Sequence, residues 1–369
     1  MYEFLEHFAK EAFEKQEYLS LSDSLLDSAA KSRYPSQTTD DFVFDLDGHM
    51  VKAIDLFREE KLEKLDEESP NTSRQLYSQP PQFQFPAKRT VPTPIVPGNI
   101  FNTTLQWTDV EPVELARQLT LRDFDSFKHI ILKEYDDWIK HTQSKDMESR
   151  ERDCPHLSEF ITIGELSTTF FVSSILCEAF IKVRKVVLSK VVVLALELYN
   201  LNNFFGARYV TNAILHPAIS RLEHTKSEID KKLWDQFEKL VGDIDPKDEF
   251  GSFRVHVSDI VRAGIPIVPD VALCMNEMKI IDEEMNYVKD AIFNDCKRQL
   301  INWKKCKRKV FKALELLHVS LNPFSLQKIF QFQQLIKKEK LLRENYPLER
   351  LMKDSYAREG TNSRKKDIL

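Results

Sequence analysis

The chain of 369 residues is 42% hydrophobic and carries 53 basic against 58 acidic side chains, a formal net charge of −5. This length and apolar content allow one large domain with an extension, and the slight negative charge provides no bulk field for binding nucleic acid. Only eight glycines occur, so the composition favours helices over glycine-turned sheets and we expect an all-α fold.

The cysteines indicate a reducing environment. They are five in number, widely spaced, and form neither a CxxC pair nor a metal-ligand cluster with histidine. We therefore expect free thiols in a cytoplasmic protein, with no metal and no cofactor. The segment MYEFLEHFAKEAFEKQEY contains acidic residues and lacks a continuous apolar stretch, so no secretory signal is predicted. P-loop, GxSxG and HExxH motifs do not occur, which disfavours a hydrolytic or metal enzyme.

Residues 1–67 are predicted to form a helical N-terminal extension. Apolar residues recur with helical spacing over residues 1–30 and again from about Met50 to Leu65. Two alternatives remain for this extension: packing on the main domain, or binding another protein. Residues 68–99 carry seven prolines and are predicted to be an extended linker.

Helical periodicity resumes at Leu105, and the most hydrophobic segment of the chain runs from Val186 to Tyr199. Its apolar residues occupy nearly every helical face, which predicts a helix enclosed by others. A lipid-crossing helix needs about 20 apolar residues, and Lys190 and Glu197 interrupt the run, so no transmembrane segment is predicted. Two amides follow, Asn202 and Asn203, which require hydrogen-bonding partners if buried. A helix C-terminus capped by asparagine is one explanation.

The segments PIVPDVALCMNEMKIIDEEMN and DAIFNDCKRQLINWKKCKRKVFKALELL are predicted to form two antiparallel helices joined by a short connection. Pro266 and Pro269 suit the entry of the first helix. Lys304, Lys305, Lys307, Arg308 and Lys309 form a dense basic run in the second helix. Either this run is a solvated helix face or it contacts acidic lipid or a protein partner, so peripheral recruitment to a membrane stays open.

The motifs ARQLT, LNNF, SRL, PIVP, IIDE and INW occur in this order over residues 100–358. Together they resemble, in divergent form, the catalytic domain of Ras-family guanine-nucleotide exchange factors, of the kind found in Son of sevenless. The resemblance implies a multi-helix exchange-factor domain with a protruding antiparallel helical hairpin, followed by a tail at 359–369. It implies a small Ras-like GTPase as partner and release of GDP without covalent chemistry. The alternative is a catalytically impaired adaptor that binds a GTPase or another signalling protein.

The resemblance also carries over individual positions. In relatives, a carboxylate near the end of the first hairpin helix competes with the nucleotide phosphate for basic and magnesium-linked groups of the GTPase, and Glu283 matches its position. We assign Lys279 and Asn276 to the same exchange site. Contact with the GTPase is expected at Ile161, Thr162, Glu165, Arg208, Leu215, Ser220 and Asp270, and a scaffold role at Asn202, Asn203 and Arg221.

Several of these positions depart from the family pattern. Lys279 replaces an apolar residue, Thr162 a long basic one and Leu215 an asparagine, while Arg208 and Asp270 stand where an aliphatic and an aromatic side chain are usual. The departures allow two alternatives, a different GTPase or a lost activity.

Overall fold

A computed structural model of the chain describes residues 42–44, 50–52, 90–102, 105–144, 147–245, 251–288, 300–337 and 347–360. The chain divides into two compact units. The first comprises residues 1–71 and 287–301, and the second residues 72–286 and 302–369.

The second unit is helical throughout the residues described, apart from its turns and loops, which confirms the all-α prediction. A 3₁₀ turn at Trp107–Asp109 precedes the first long helix. The helices are α1 (Pro112–Phe127), α2 (Leu132–Ser144), α3 (Met147–Asp153), α4 (Pro155–Cys177), α5 (Ile181–Asn200), α6 (Phe204–Leu215), α7 (Pro217–Ser220), α8 (Glu223–Ser227), α9 (Lys231–Asp243), α10 (Gly251–Arg262), α11 (Val271–Glu283), α12 (Trp303–Ser320), α13 (Phe330–Lys337) and α14 (Leu348–Arg358).

Helix α5 lies at the centre of this unit, as its sequence predicts. It packs against α1, α6 and α9, and Leu188, Val191 and Leu194 on it are fully buried. Burial of apolar side chains on several faces supplies the main favourable term in folding. The enclosure begins later than predicted, because Val186, in the second turn of α5, is half exposed.

Helix α4 satisfies the length and composition of a membrane-crossing helix among the residues described. Half of the qualifying window is buried inside the protein. Because an interior helix meets the same two criteria, this is weak evidence for a span. In the fold α4 packs between α1, α5 and α6.

The first unit contains two short antiparallel strand pairs. Strand β1 (Phe42–Phe44) pairs with β2 (Met50–Lys52), with Val43 opposite Val51, and β3 (Tyr287–Val288) pairs with β4 (Leu300–Ile301). Two predicted helices therefore need correction, because Met50 begins a strand and α12 starts at Trp303 rather than near residue 290. Residues 53–65 of the first predicted helix and 290–299 of the second lie outside the described residues, as do the predicted helices over residues 1–30.

The linker and tail boundaries also differ from the prediction. Thr93 and Ile95, inside the predicted linker, are bonded to α1: the Ile95 amide donates to Glu114 (3.1 Å) and Arg117 donates to the Thr93 carbonyl (3.2 Å). Glu359, predicted to begin the tail, is buried. The helical unit therefore extends beyond residues 100–358 at both ends.

Candidate functional site

Asn202 ends α5 through its backbone, whereas Asn203 caps the start of α6 through its side chain. The amide of Asn202 donates to the Tyr199 carbonyl (2.9 Å) and that of Asn203 to the Leu198 carbonyl (2.9 Å). Asn202 itself adopts φ 60°, which completes a Schellman helix end. Asn202 thus ends α5 through its backbone, which agrees with the predicted helix C-terminus at asparagine and not with the predicted buried side-chain bonds.

The Asn203 side chain is fully buried and makes three hydrogen bonds. Its oxygen accepts from the Gly206 amide (2.8 Å) as the cap of α6, and its nitrogen donates to Asp123 (2.8 Å) and Thr120 (3.2 Å) on α1. The Phe204 amide donates to the Val268 carbonyl (2.9 Å). This junction therefore fixes α6 and the segment that leads into α11 relative to the core.

Asp270 begins α11 and is bonded to Arg208 on α6. Arg208 donates to Asp270 Oδ2 from Nε (2.8 Å) and from Nη2 (2.5 Å), and Nη2 also donates to the Ile244 carbonyl (2.7 Å). Asp270 Oδ1 accepts from the Ala272 amide (2.9 Å) as the helix cap. Burial raises the pKa of the Asp270 carboxyl, and Arg208 opposes that rise. The structure therefore pairs two predicted GTPase contacts with each other inside the fold.

Three predicted exchange residues share one side of α11. Asn276, Lys279 and Glu283 recur at positions i, i+3 and i+7, which lie on one helix face. Asn276 is half-buried, and we call the two exposed residues, Lys279 and Glu283, the exposed strip. The side chains of Lys279 and Glu283 are 61% and 60% exposed, and Lys279 Nζ lies 3.6 Å from Glu283 Oε1. The strip therefore presents a carboxylate to solvent with a cation one turn away.

The opposite side of α11 is held by buried charges. Glu277 on α11 bonds to Arg254 on α10 (3.0 Å) and to Lys312 on α12 (2.5 Å). Glu284, just beyond α11, bonds to Arg308. Such pairs are costly to desolvate, but breaking one strands a buried charge. These contacts fix which side of α11 faces outward.

Lys305, Arg308, Lys309 and Lys312 form the matching side of α12, and we call them the basic stripe. Lys305 donates to the Asp282 carbonyl (2.7 Å), the Glu284 carbonyl (2.8 Å) and the Asn286 side chain (2.7 Å). Burial lowers the pKa of the Lys305 amine, and Asp282 opposes that fall. The predicted solvated face and the predicted contact with lipid or a protein partner are therefore wrong for Lys305 and Arg308, which are buried.

Helices α11 and α12 run antiparallel. Lys312, in the middle of α12, meets Glu277 in the middle of α11, while Lys305 near the start of α12 meets the residues that end α11. Lys309 also contacts Asp136 on α2 (3.2 Å). At the open end, the Asn302 amide donates to the Asn286 carbonyl (2.8 Å). The antiparallel pairing is thus observed, and projection of the pair from the core stays a prediction.

The other predicted GTPase contacts lie on α4, α6 and α7. Glu165 is exposed, while Ile161 and Thr162 are half-buried on the same helix. Leu215, the last residue of α6, is 47% exposed, and the Ser220 hydroxyl donates to its carbonyl (2.9 Å). These five positions are accessible at least in part, unlike Asp270. Contact with a GTPase at each of them stays a prediction.

Arg221 lies in a polar cluster whose members are distant in the sequence. It donates to the Ser355 carbonyl (2.9 Å) and the Glu359 carbonyl (2.6 Å), and its guanidinium stacks over the Tyr356 ring. The Glu359 carboxylate accepts from the Thr225 amide (2.9 Å) and lies 3.5 Å from the fully buried Arg184. Arg221 therefore joins the region after α7 to the end of α14.

The described residues hold no group of three or more His, Cys, Asp or Glu side chains placed to bind a metal ion. Two cysteines are buried thiols. Burial raises the pKa of Cys274 to about 12 and that of Cys154 to about 11, so neither is a thiolate near neutral pH. The arrangement supports binding through shape and charge.

The structure thus defines an all-α protein in which α11, paired with α12, carries a solvent-facing carboxylate. Residues 114–307 match the RasGEF domain family, and this chain belongs to that family. Similar proteins from Dictyostelium discoideum include Ras guanine nucleotide exchange factors P, A and Q. Factor P is 26% identical over 64% of this chain and 15% of its own length. Factor A is 24% identical over 75% of this chain and 45% of its own length. Factor Q is 26% identical over 67% of this chain and 18% of its own length. The chain thus spans less than half the length of these relatives.

Proposed function

We propose that the chain is a guanine-nucleotide exchange factor that promotes GDP release from a small Ras-like GTPase. The observation that supports this most is the exposed strip on α11 within a chain of the RasGEF domain family. The opposite side of α11 is occupied by buried ion pairs with α10 and α12. The strip is thus the side of this helix left for a partner.

Glu283 is the residue that would act at the nucleotide site. A carboxylate can substitute for phosphate charge near basic groups and Mg²⁺. Exchange then requires only that the chain bind the nucleotide-free GTPase more tightly than the loaded one, which shifts the equilibrium toward release. GTP enters by mass action, and no covalent step or cofactor is needed.

A second set of contacts would hold the GTPase while the strip acts. Glu165 and Leu215 are the exposed members of the predicted contact set, and Ile161, Thr162 and Ser220 flank them in sequence. Arg208 and Asp270 are left out of this set because their polar atoms are engaged with each other.

The activity is tested by release of a fluorescent GDP analogue from a panel of Ras, Rap and Ral GTPases. We expect the chain to accelerate release from at least one of them, with a rate that saturates as the concentration of the chain increases. Acceleration of none, together with no binding to nucleotide-free GTPase, would contradict the proposal.

Glu283→Ala tests the mechanism on the GTPase that responds. We expect release to slow about tenfold or more, because a charge-assisted bond contributes about 1.5–3 kcal/mol. The melting temperature should hardly change, since exposed ion pairs contribute little to stability. Asp259→Ala is the matched control, because Asp259 is also exposed and lies beside an arginine on its own helix (3.9 Å). Equal rates for Glu283→Ala and wild type would contradict this role.

Lys279→Leu tests the neighbouring cation. Lys279 forms an ion pair with Glu283, with 3.6 Å between Nζ and Oε1. Removing the Lys279 charge should therefore leave the Glu283 carboxylate more available to compete with phosphate. We expect release at or above the wild-type rate. A rate well below wild type would show instead that Lys279 itself contacts the GTPase.

A catalytically impaired adaptor is the second candidate, and the same ion pair favours it. A carboxylate already paired with a cation on its own helix competes less well for the groups that hold phosphate. For an adaptor we expect binding to a GTPase in a pull-down with no acceleration of release. In that case Lys279→Leu should restore measurable exchange.

A further inference from the structure

The Arg208 guanidinium connects three parts of the helical unit at one point. It reaches Asp270 at the start of α11 through two N–H groups, and the Ile244 carbonyl after α9 through a third bond, all from its place on α6. Two N–H donors of one planar guanidinium converge on a single oxygen, Asp270 Oδ2, and the rigid spacing of the donors restricts direction as well as distance. Asp270 is almost fully buried, so this bond is shielded from water.

The two oxygens of Asp270 serve different elements. Oδ2 accepts from Arg208, and Oδ1 accepts from the Ala272 amide at the first turn of α11. A carboxylate at a helix N-terminus is also favoured by the helix dipole. Arg208 therefore contacts Asp270, the N-cap residue of α11.

We infer that Arg208 is a positioning residue that sets the direction of α11, and with it the place of Glu283. This inference rests on the proposed exchange function. The thirteen residues of α11 span about 20 Å at 1.5 Å per residue. A 10° change at Asp270 would therefore move the far end by about 3 Å, and reacting groups tolerate displacements of only about 1 Å.

Among the described residues, polar contacts that connect the α11–α12 pair to neighbouring helices include Glu277 with Arg254 on α10, and Lys309 with Asp136 on α2. The contacts of Lys305, Arg308 and Lys312 with α11 and the residues that follow it join the two helices of the pair to each other. Contacts within the pair move with it, so they do not fix the direction of the pair relative to the other helices. At the start of the first helix, the backbone bonds of Val268 hold the chain that leads into α11, and Arg208 is the side chain that bonds the capping residue itself.

The test separates positioning from stability with a double variant. Arg208→Met alone strands a buried carboxylate and should lower the melting temperature. Arg208→Met with Asp270→Asn leaves no charge unpaired and keeps a side-chain oxygen to cap α11, so we expect most of the melting temperature to return. We expect kcat for GDP release to remain at least fivefold below wild type, with KM for the GTPase changed less than twofold. Arg208→Lys, which keeps the charge but not the paired donors, should fall between.

The control is a second, more exposed ion pair away from α11. Lys185 on α5 lies 3.6 Å from Glu228 after α8, and Lys185→Met with Glu228→Gln should leave kcat at the wild-type value. A return of both melting temperature and kcat in the Arg208→Met and Asp270→Asn variant would overturn the inference.

A distance measurement decides the same question without any GTPase. Spin labels at the exposed residues Lys182 on α5 and Lys304 on α12, in a chain with Cys177, Cys296 and Cys306 replaced by serine, report the direction of the pair. We expect the distance distribution to shift or broaden in the double variant. An unchanged distribution would overturn the inference. If the wild-type chain releases no GDP from any GTPase, the exchange proposal fails while this measurement still decides the role of Arg208.

Discussion

At the residue scale, the most informative positions are buried polar side chains with several partners. Asn203 caps α6 with one bond and reaches α1 with two, and Asp123 accepts both from it and from the Tyr209 hydroxyl (3.1 Å). Removing one partner from such a set leaves others unsatisfied, which costs more than the bond itself contributes. The two residues of the NN pair should therefore respond differently to substitution.

Asn203→Leu should destabilise the protein by about 1–3 kcal/mol, because Asp123, Thr120 and the Gly206 amide lose their partner. For a domain of this size, the melting temperature should fall by about 2–4 °C per kcal/mol. The comparison is Asn202→Gly, which should be nearly neutral, because glycine accepts the positive φ that Asn202 adopts. Thermal melts of both variants check this, and equal melting temperatures would contradict it.

Gly206 and Gly242 form a second matched pair. A Cβ at Gly206 would lie 2.6 Å from Asn203 Nδ2 and 2.8 Å from its Cγ, whereas a Cβ at Gly242 meets nothing within 4 Å. Gly206→Ala should therefore displace the Asn203 side chain from its bonds and lower stability by about 1–3 kcal/mol. Gly242→Ala should raise stability by up to about 1 kcal/mol, since helical glycine is entropically unfavourable. Urea unfolding of the two variants measures both signs.

At the element scale, α12 shows what an apolar pattern alone overlooks. The basic stripe repeats at positions i, i+3, i+4 and i+7, which is the spacing of a helix face packed against a neighbour. The signal was present in the sequence, since acidic residues cluster near the end of α11. Charge composition instead favoured a solvated face. The structure pairs the stripe with Glu277, Asp282, Glu284 and Asp136.

Glu277→Ala should be strongly destabilising, by about 3–5 kcal/mol, because two buried cations, Arg254 and Lys312, lose their shared carboxylate. Glu315→Ala is the control: it removes the second partner of Lys312, also at 2.5 Å, but leaves the pair with Glu277. We expect the control to lose less than about 1 kcal/mol. Chemical denaturation compares the two, and similar losses would show that the buried pairs do not hold the helices.

At the scale of the whole molecule, the sequence predicted the helical class, the central place of α5 and the pairing of α11 with α12. These follow from hydrophobic periodicity, which local residues carry. The ends of the helical unit could not be predicted in this way. Glu359 and the residues around Thr93 belong to the unit through polar bonds to distant positions, and sequence separation hides such partners.

Glu359→Ala tests the C-terminal limit of the unit. It leaves Arg184, which is fully buried, without its carboxylate and Thr225 without an acceptor, so we expect a loss of about 3 kcal/mol. Glu349→Ala, an exposed carboxylate on α14, should cost less than about 1 kcal/mol. Thermal melts of the two variants suffice. No loss for Glu359→Ala would return the boundary to residue 358.

The Arg208–Asp270 pair also restricts how this protein can evolve. Either charge replaced alone leaves the other buried and unpaired, at a cost of several kcal/mol, which is a large part of the stability of a typical domain. Replacement of both charges by apolar residues, one substitution at a time, would pass through a variant with one buried unpaired charge, unless a compensating change came first. A hairpin transplanted from a relative with an apolar residue at position 270 would meet the same obstacle, unless position 208 were transplanted with it.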